Sequence, residues 1–147
     1  MLFVTLLITA LLVALTFIIH FAILKWLARE IREEAANLRW PLLTVLFGVF
    51  IAHVLEVLLY AVAFLLVDFF GFGGLEGAVH PTHATLADHF YFSIASYTTL
   101  GMGDIVPHGA IRLLAGFEAL NGLVLITWSA SFTYIVMEKL WEIGRED

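Results

Sequence analysis

Residues 98–104 read Thr-Thr-Leu-Gly-Met-Gly-Asp, a run with two alternating glycines and little side-chain chemistry. What such a run offers is its backbone. Gly101 and Gly103 can reach positive φ values that other residues avoid. An extended strand with that alternation points successive carbonyls the same way. Several copies around one axis would form rings of oxygen that replace the hydration shell of a monovalent cation. A backbone site of this kind must be held in place by rigid elements, so the flanking sequence decides what it can do.

Upstream, Thr85-Leu-Ala-Asp88 is a variant capping box with Asp in place of Glu. It predicts a helix over about residues 86–97 containing Phe90, Tyr91, Phe92, Ile94 and Tyr97. That helix is too short to cross a bilayer and too apolar for water. A re-entrant helix, which enters the membrane and stops halfway, satisfies both facts. Irregular backbone at membrane depth is tolerated only where protein buries it or it lines a water-filled path. The helix C-terminus also brings partial negative charge toward that path.

The rest of the chain supplies the membrane. Of 147 residues, 62% are hydrophobic and 14% charged, against about 45–50% and about 25% in soluble domains. That excludes an ordinary soluble enzyme and a disordered tail, and the net charge of −6 argues against nucleic acid as a partner. With no cysteine, disulfides and thiolate sites are excluded. Residues 2–24, 41–67 and 113–137 are each long and apolar enough to span. The first lacks the basic start of a signal peptide and is read as a retained helix.

Lys25, Arg29, Arg32 and Arg39 lie between spans one and two, Lys139 and Arg145 follow span three, and residues 40–111 hold no Lys or Arg. The positive-inside rule then places the N-terminus outside and the C-terminus in the cytoplasm. The expected organisation is a transmembrane helix (1–25), a cytoplasmic amphipathic linker (26–40) that could equally continue span one, a pore module (41–137) and a short tail (138–147). Within the module fall an outer helix (41–67), the short helix, the glycine strand (99–104) and an inner helix (about 110–137).

Thr99-Leu-Gly-Met-Gly-Asp104 resembles the selectivity-filter signature of potassium channels, Thr-Val-Gly-Tyr-Gly-Asp. The resemblance runs from Phe90 to about Met137 and takes in Pro107 and Arg112. It implies an all-α membrane protein with three transmembrane helices, a re-entrant pore helix and a filter loop, assembled as a homotetramer among lipids. K+ would be held by the carbonyls of Thr99, Leu100, Gly101 and Met102, with the Thr99 hydroxyl, while Gly103 and Asp104 shape the outer mouth. Thr98, Tyr91, Phe92 and Arg112 would support the filter. Met102 replaces the family's aromatic, and Phe92 offers no polar atom, so the brace is expected to be apolar packing. With Ala95 where some members carry a Glu, Asp104 needs another partner; Tyr91 is the first choice, with Arg112 and His108 as others.

Several residues admit two readings. Gly122 is a hinge of the inner helix or a close-packing position, and Asn121 faces the cavity or bonds a neighbouring helix. His53 and Glu56, one turn apart on span two, and Glu118 on span three are costly in a membrane. They form a proton-sensitive gate or an interhelical polar clasp, with Glu118 bonded behind the pore helix. His80, His83 and His89 in the outer segment are a candidate external pH or metal cluster. Asp68, Glu76, Asp88 and Asp104 would concentrate cations at the mouth. The reading is a passive potassium channel in the plasma membrane, not an enzyme, with no soluble substrate. A weakly selective pore that also passes Na+, and a non-conducting membrane subunit, are the alternatives.

Overall fold

A computed structural model describes residues 2–34, 40–77 and 84–143. In chain order the elements are α1 (Leu2–Glu34), α2 (Pro41–Phe69), β1 (Gly73–Glu76), α3 (Leu86–Tyr97), β2 (Val106–Gly109) and α4 (Ala110–Ile143). α1, α2 and α4 are long and apolar enough to cross a membrane. The fold is a helical membrane bundle with one short two-stranded antiparallel ribbon added.

α1 does not stop at residue 25. It runs unbroken to Glu34, so the first nine residues of the expected linker continue span one. At 1.5 Å per residue it is about 50 Å long, well beyond a hydrocarbon core of about 30 Å. Arg39 and Arg145 lie outside the described residues. α1 buries one narrow stripe, Thr5, Thr9, Leu12, Thr16, His20, Leu24, Leu27 and Ile31, spaced three or four apart. That stripe packs on α2 and α4. The remaining faces, with Leu7, Leu11, Ile18 and Phe21, stay exposed as lipid contact requires.

Two clusters form the core. Tyr60, Phe64, Phe92, Ile111 and Leu114 knit α2, α3 and α4 together, with Leu12 of α1 at the edge. Leu24, Leu27, Ile31, Val45, Val49 and Val136 join the three long helices without α3. α3 therefore wedges into one part of the bundle only. It begins where its capping box says: the Asp88 amide donates to Thr85 Oγ1 and the Thr85 amide to Asp88 Oδ2. Thr85→Ala should lower stability by about 1 kcal/mol, read as a fall in the unfolding midpoint of the detergent-solubilised protein.

β1 and β2 are formed partly by glycines, Gly73, Gly74 and Gly109. The two strands pair antiparallel, Gly73 opposite Gly109 and Glu76 opposite Val106. Glycine is needed because backbone meets backbone. A Cβ on Gly73 would lie 2.6 Å from the His108 carbonyl oxygen. One on Gly77, which has φ +89°, would lie 2.1 Å from that of Asp104. The C-terminal end of α2 is thereby tied to the strand that leaves residue 104.

Candidate functional site

The backbone after α3 is built by the helix end itself. The Thr99 amide donates to the Ser96 carbonyl (3.0 Å) and the Leu100 amide to that of Ala95 (2.9 Å). These are the paired bonds of a Schellman cap, which requires a left-handed residue just past the helix, normally Gly or Asn. Here that residue is Thr99, with φ +57°. A β-branched residue in that region is a genuine outlier, costing on the order of 1–3 kcal/mol. Thr at this position is therefore held for something other than stability. Gly101 (φ +54°) and Gly103 (φ +80°) repeat the left-handed conformation at every second residue.

The amides of Thr98, Thr99, Leu100 and Gly101 all donate back to the last turn of α3. Among the described residues, no backbone amide donates to a carbonyl of residues 98–103. The first half of the strand thus has its amides occupied while the carbonyls of residues 98–103 accept none of them, which is the polarity a cation site needs. In the single chain residues 98–104 are all exposed, Leu100 and Met102 at 58% and 60%.

Tyr91 reaches the strand from α3. Its hydroxyl lies 2.8 Å from Asp104 Oδ2 and 2.8 Å from Met102 Sδ. Tyr91 is thus the partner of Asp104, and the brace on Met102 includes a hydroxyl on sulfur rather than apolar packing alone. Phe92 does not take part. It is buried against Phe64, with ring centroids 5.5 Å apart. Arg112 is exposed, and no hydrogen bond or ion pair among the described residues joins it to the strand. His108 sits opposite Gly74 in the ribbon.

A family model described as ion channel matches residues 42–139, two thirds of the chain. The chain belongs to the ion channel family. No curated protein and no solved structure matches it. The channel is an integral membrane protein, and the match covers α2, α3, the glycine strand and nearly all of α4, leaving α1 outside.

Behind the strand the channel buries two polar groupings. In the first, Ser93 of α3 donates to Glu118 Oε1 of α4 and lies 2.8 Å from the Val57 carbonyl of α2. Glu118 is fully buried there, bonded to α3. In the second, five side chains from all four helices close a ring. His20 Nδ1 meets Glu56 Oε1 (2.8 Å), and Tyr97 donates to Glu56 Oε2. His53 Nδ1 meets the Tyr97 hydroxyl (2.8 Å), and the Nε2 atoms of His53 and His20 both lie 3.0 Å from Ser129 Oγ. Five contacts need five protons, and the five groups carry five when their total charge is zero. The ring is complete only in that neutral state, which is how so many polar atoms sit at membrane depth.

Other expectations change. Asn121 does not face a cavity: it is buried, and its amide donates to Thr16 of α1 (2.8 Å) and Tyr60 of α2 (3.2 Å). Gly122 lies in an unbroken α4, where an added Cβ would come 2.2 Å from the Tyr97 carbonyl oxygen. His89 is fully buried, with Nδ1 on the Thr85 carbonyl and Nε2 3.3 Å from Asp68. His80 and His83 lie outside the described residues. Ser129 hydrogen-bonds between helices, as a mid-span hydroxyl is expected to, whereas the sequence alone assigns no polar partner to His20 or Tyr97. The available signal was His20 itself, an ionisable residue in mid-span that must find a partner.

The hydrogen bond to Asp104, with its negative charge, raises the Tyr91 hydroxyl above the ordinary tyrosine value of about 10. The neutral hydroxyl is the form that bonds, so the contact is fully present below pH of about 10. It is lost only as pH rises through the raised value. Ion discrimination should therefore hold steady from neutral to mildly alkaline pH. Tyr91→Phe should reduce it at all pH values, measured as a shift in reversal potential under a K+/Na+ gradient.

Proposed function

We propose that the channel conducts K+ passively through a homotetrameric pore whose filter is residues 99–104, in the plasma membrane, with the N-terminus outside and the C-terminus cytoplasmic. The observation that carries this reading is the left-handed backbone at Thr99, Gly101 and Gly103, with its amides pinned to a 12-residue helix between two spans. Residues 98–104 are exposed in one chain, and such irregular backbone cannot face lipid. Further copies around a water-filled axis would cover it. K+ would then be held by the carbonyls of Thr99, Leu100, Gly101 and Met102 and the Thr99 hydroxyl.

Met102 favours a second reading, a weakly selective monovalent cation pore, because a thioether on Tyr91 is a softer brace than an aromatic donor. Flux into liposomes separates the two. K+ uptake that exceeds Na+ uptake and is blocked by barium supports a potassium channel, and equal uptake supports the weaker filter. No flux of either ion from purified protein overturns both.

A further inference from the structure

We propose that His20, His53 and Glu56 form a binding site for a transition-metal dication of the zinc type, held between α1 and α2. The three residues each offer one ligand atom, and these atoms lie within 4.8 Å of one another. Two imidazoles and a carboxylate are a known donor set for zinc, with a fourth position left for water. At metal–ligand distances of about 2.0–2.1 Å, neighbouring ligands of a tetrahedral ion are about 3.3 Å apart. His53 Nδ1 stands 3.3 Å from the carboxylate, long for a hydrogen bond, and gives up its 2.8 Å contact with the Tyr97 hydroxyl to bind the ion. His20 Nδ1 and Glu56 Oε1, at 2.8 Å, need to part by about half an ångström and give up the proton between them.

The outer groups fit the same assignment. A metal-bound histidine holds its other nitrogen on a hydrogen-bond acceptor, which fixes ring and tautomer. Ser129 Oγ does this for both rings at once, 3.0 Å from each Nε2, so both turn Nδ1 toward Glu56. Its two lone pairs accept both Nε2–H groups when the Nδ1 atoms are ligands. Tyr97 donates to Glu56 Oε2, which leaves Oε1 as the oxygen for the ion. Access is from the His53 side: His20 and Glu56 are fully buried, whereas His53 is 19% exposed and lines an apolar crevice with Tyr97 and Thr98. His20 lies on α1, outside the family match, so the site needs the helix that the shared module lacks.

The test uses the full chain carrying His80→Ala, His83→Ala and His108→Ala, which leaves the buried His89 as the one histidine of the outer segment. This parent is titrated with cobalt(II), then zinc(II). One cobalt per chain with the intense visible absorption of tetrahedral cobalt, displaced by zinc, is the expected result. Ser129→Ala should weaken zinc binding about 10- to 100-fold. Glu56→Gln preserves the ring, since an amide both accepts from His20 and donates to Tyr97, but it removes the anionic ligand. It should weaken binding at least tenfold with an unchanged unfolding midpoint in the absence of metal. Absence of the tetrahedral band in the parent, or zinc binding by Glu56→Gln as tight as the parent's, overturns the proposal. Neither readout depends on ion flux.

Discussion

Gly122→Ala is expected to reduce ion flux to background while leaving the protein in the membrane. The added methyl would stand 2.2 Å from the Tyr97 carbonyl oxygen and 3.0 Å from its carbonyl carbon. No side-chain rotation relieves a clash with backbone. Either α4 moves out or the end of α3 moves back, and overpacking of this kind costs about 1–3 kcal/mol. Tyr97 is the last residue of α3, and the amides that fix Thr98–Gly101 hang on that same turn. The displacement therefore arrives undiluted at the filter backbone. Gly116 on the same helix is the control, because a Cβ there meets nothing within 4 Å. Gly116→Ala should conduct and gain roughly 0.5–1 kcal/mol from helix propensity. Flux and unfolding midpoints measured side by side check both; a conducting Gly122→Ala would show that the contact is slack.

The second large effect is at Glu56. Glu56→Ala opens the ring and leaves His20 Nδ1 and the Tyr97 hydroxyl without their shared partner in the protein interior. Removing one member of a buried charged or polar pair costs about 3–5 kcal/mol, a large share of the stability of a small domain. Unfolding of the detergent-solubilised protein should shift accordingly, with loss of much of the folded yield. Glu56→Gln should stay near the parent, because its amide keeps five protons on five contacts. Equal loss in both variants would mean that the charge of Glu56, not the closure of the ring, holds the helices.

These two sites differ in how far the sequence reveals them. The spans, the helix at residues 86–97 and the glycine strand are local signals: apolar length, a capping box, alternation. They survive into the structure because nothing distant has to be known. The Tyr91–Asp104 contact was also legible, since one helix face and one strand position leave few partners. What the sequence hid is set by pairs far apart in the chain. Gly73 and Gly109 look like loop glycines until the two strands meet. Asn121 suited a cavity as well as a helix contact, and only the position of Thr16 on α1 decides between them. His89 looked like a member of an outer histidine group, yet one turn of α3 buries it beside Asp68. His20 carried a signal but no direction, because Glu56 is 36 residues away on another helix.

The stripe of Thr16 and His20 on α1 also bears on how this protein could be taken apart. Residues 42–139 carry the family likeness and look like a portable cassette. Cut free of α1, that cassette would lose Thr16 as the nearer acceptor of the Asn121 amide, leaving it Tyr60 alone, and would turn one carboxylate oxygen of Glu56 toward lipid without its His20 partner. A chimera built from it would need either a foreign helix bearing matching polar groups or apolar replacements at both positions. The first helix is a graft that its neighbours have been cut to fit.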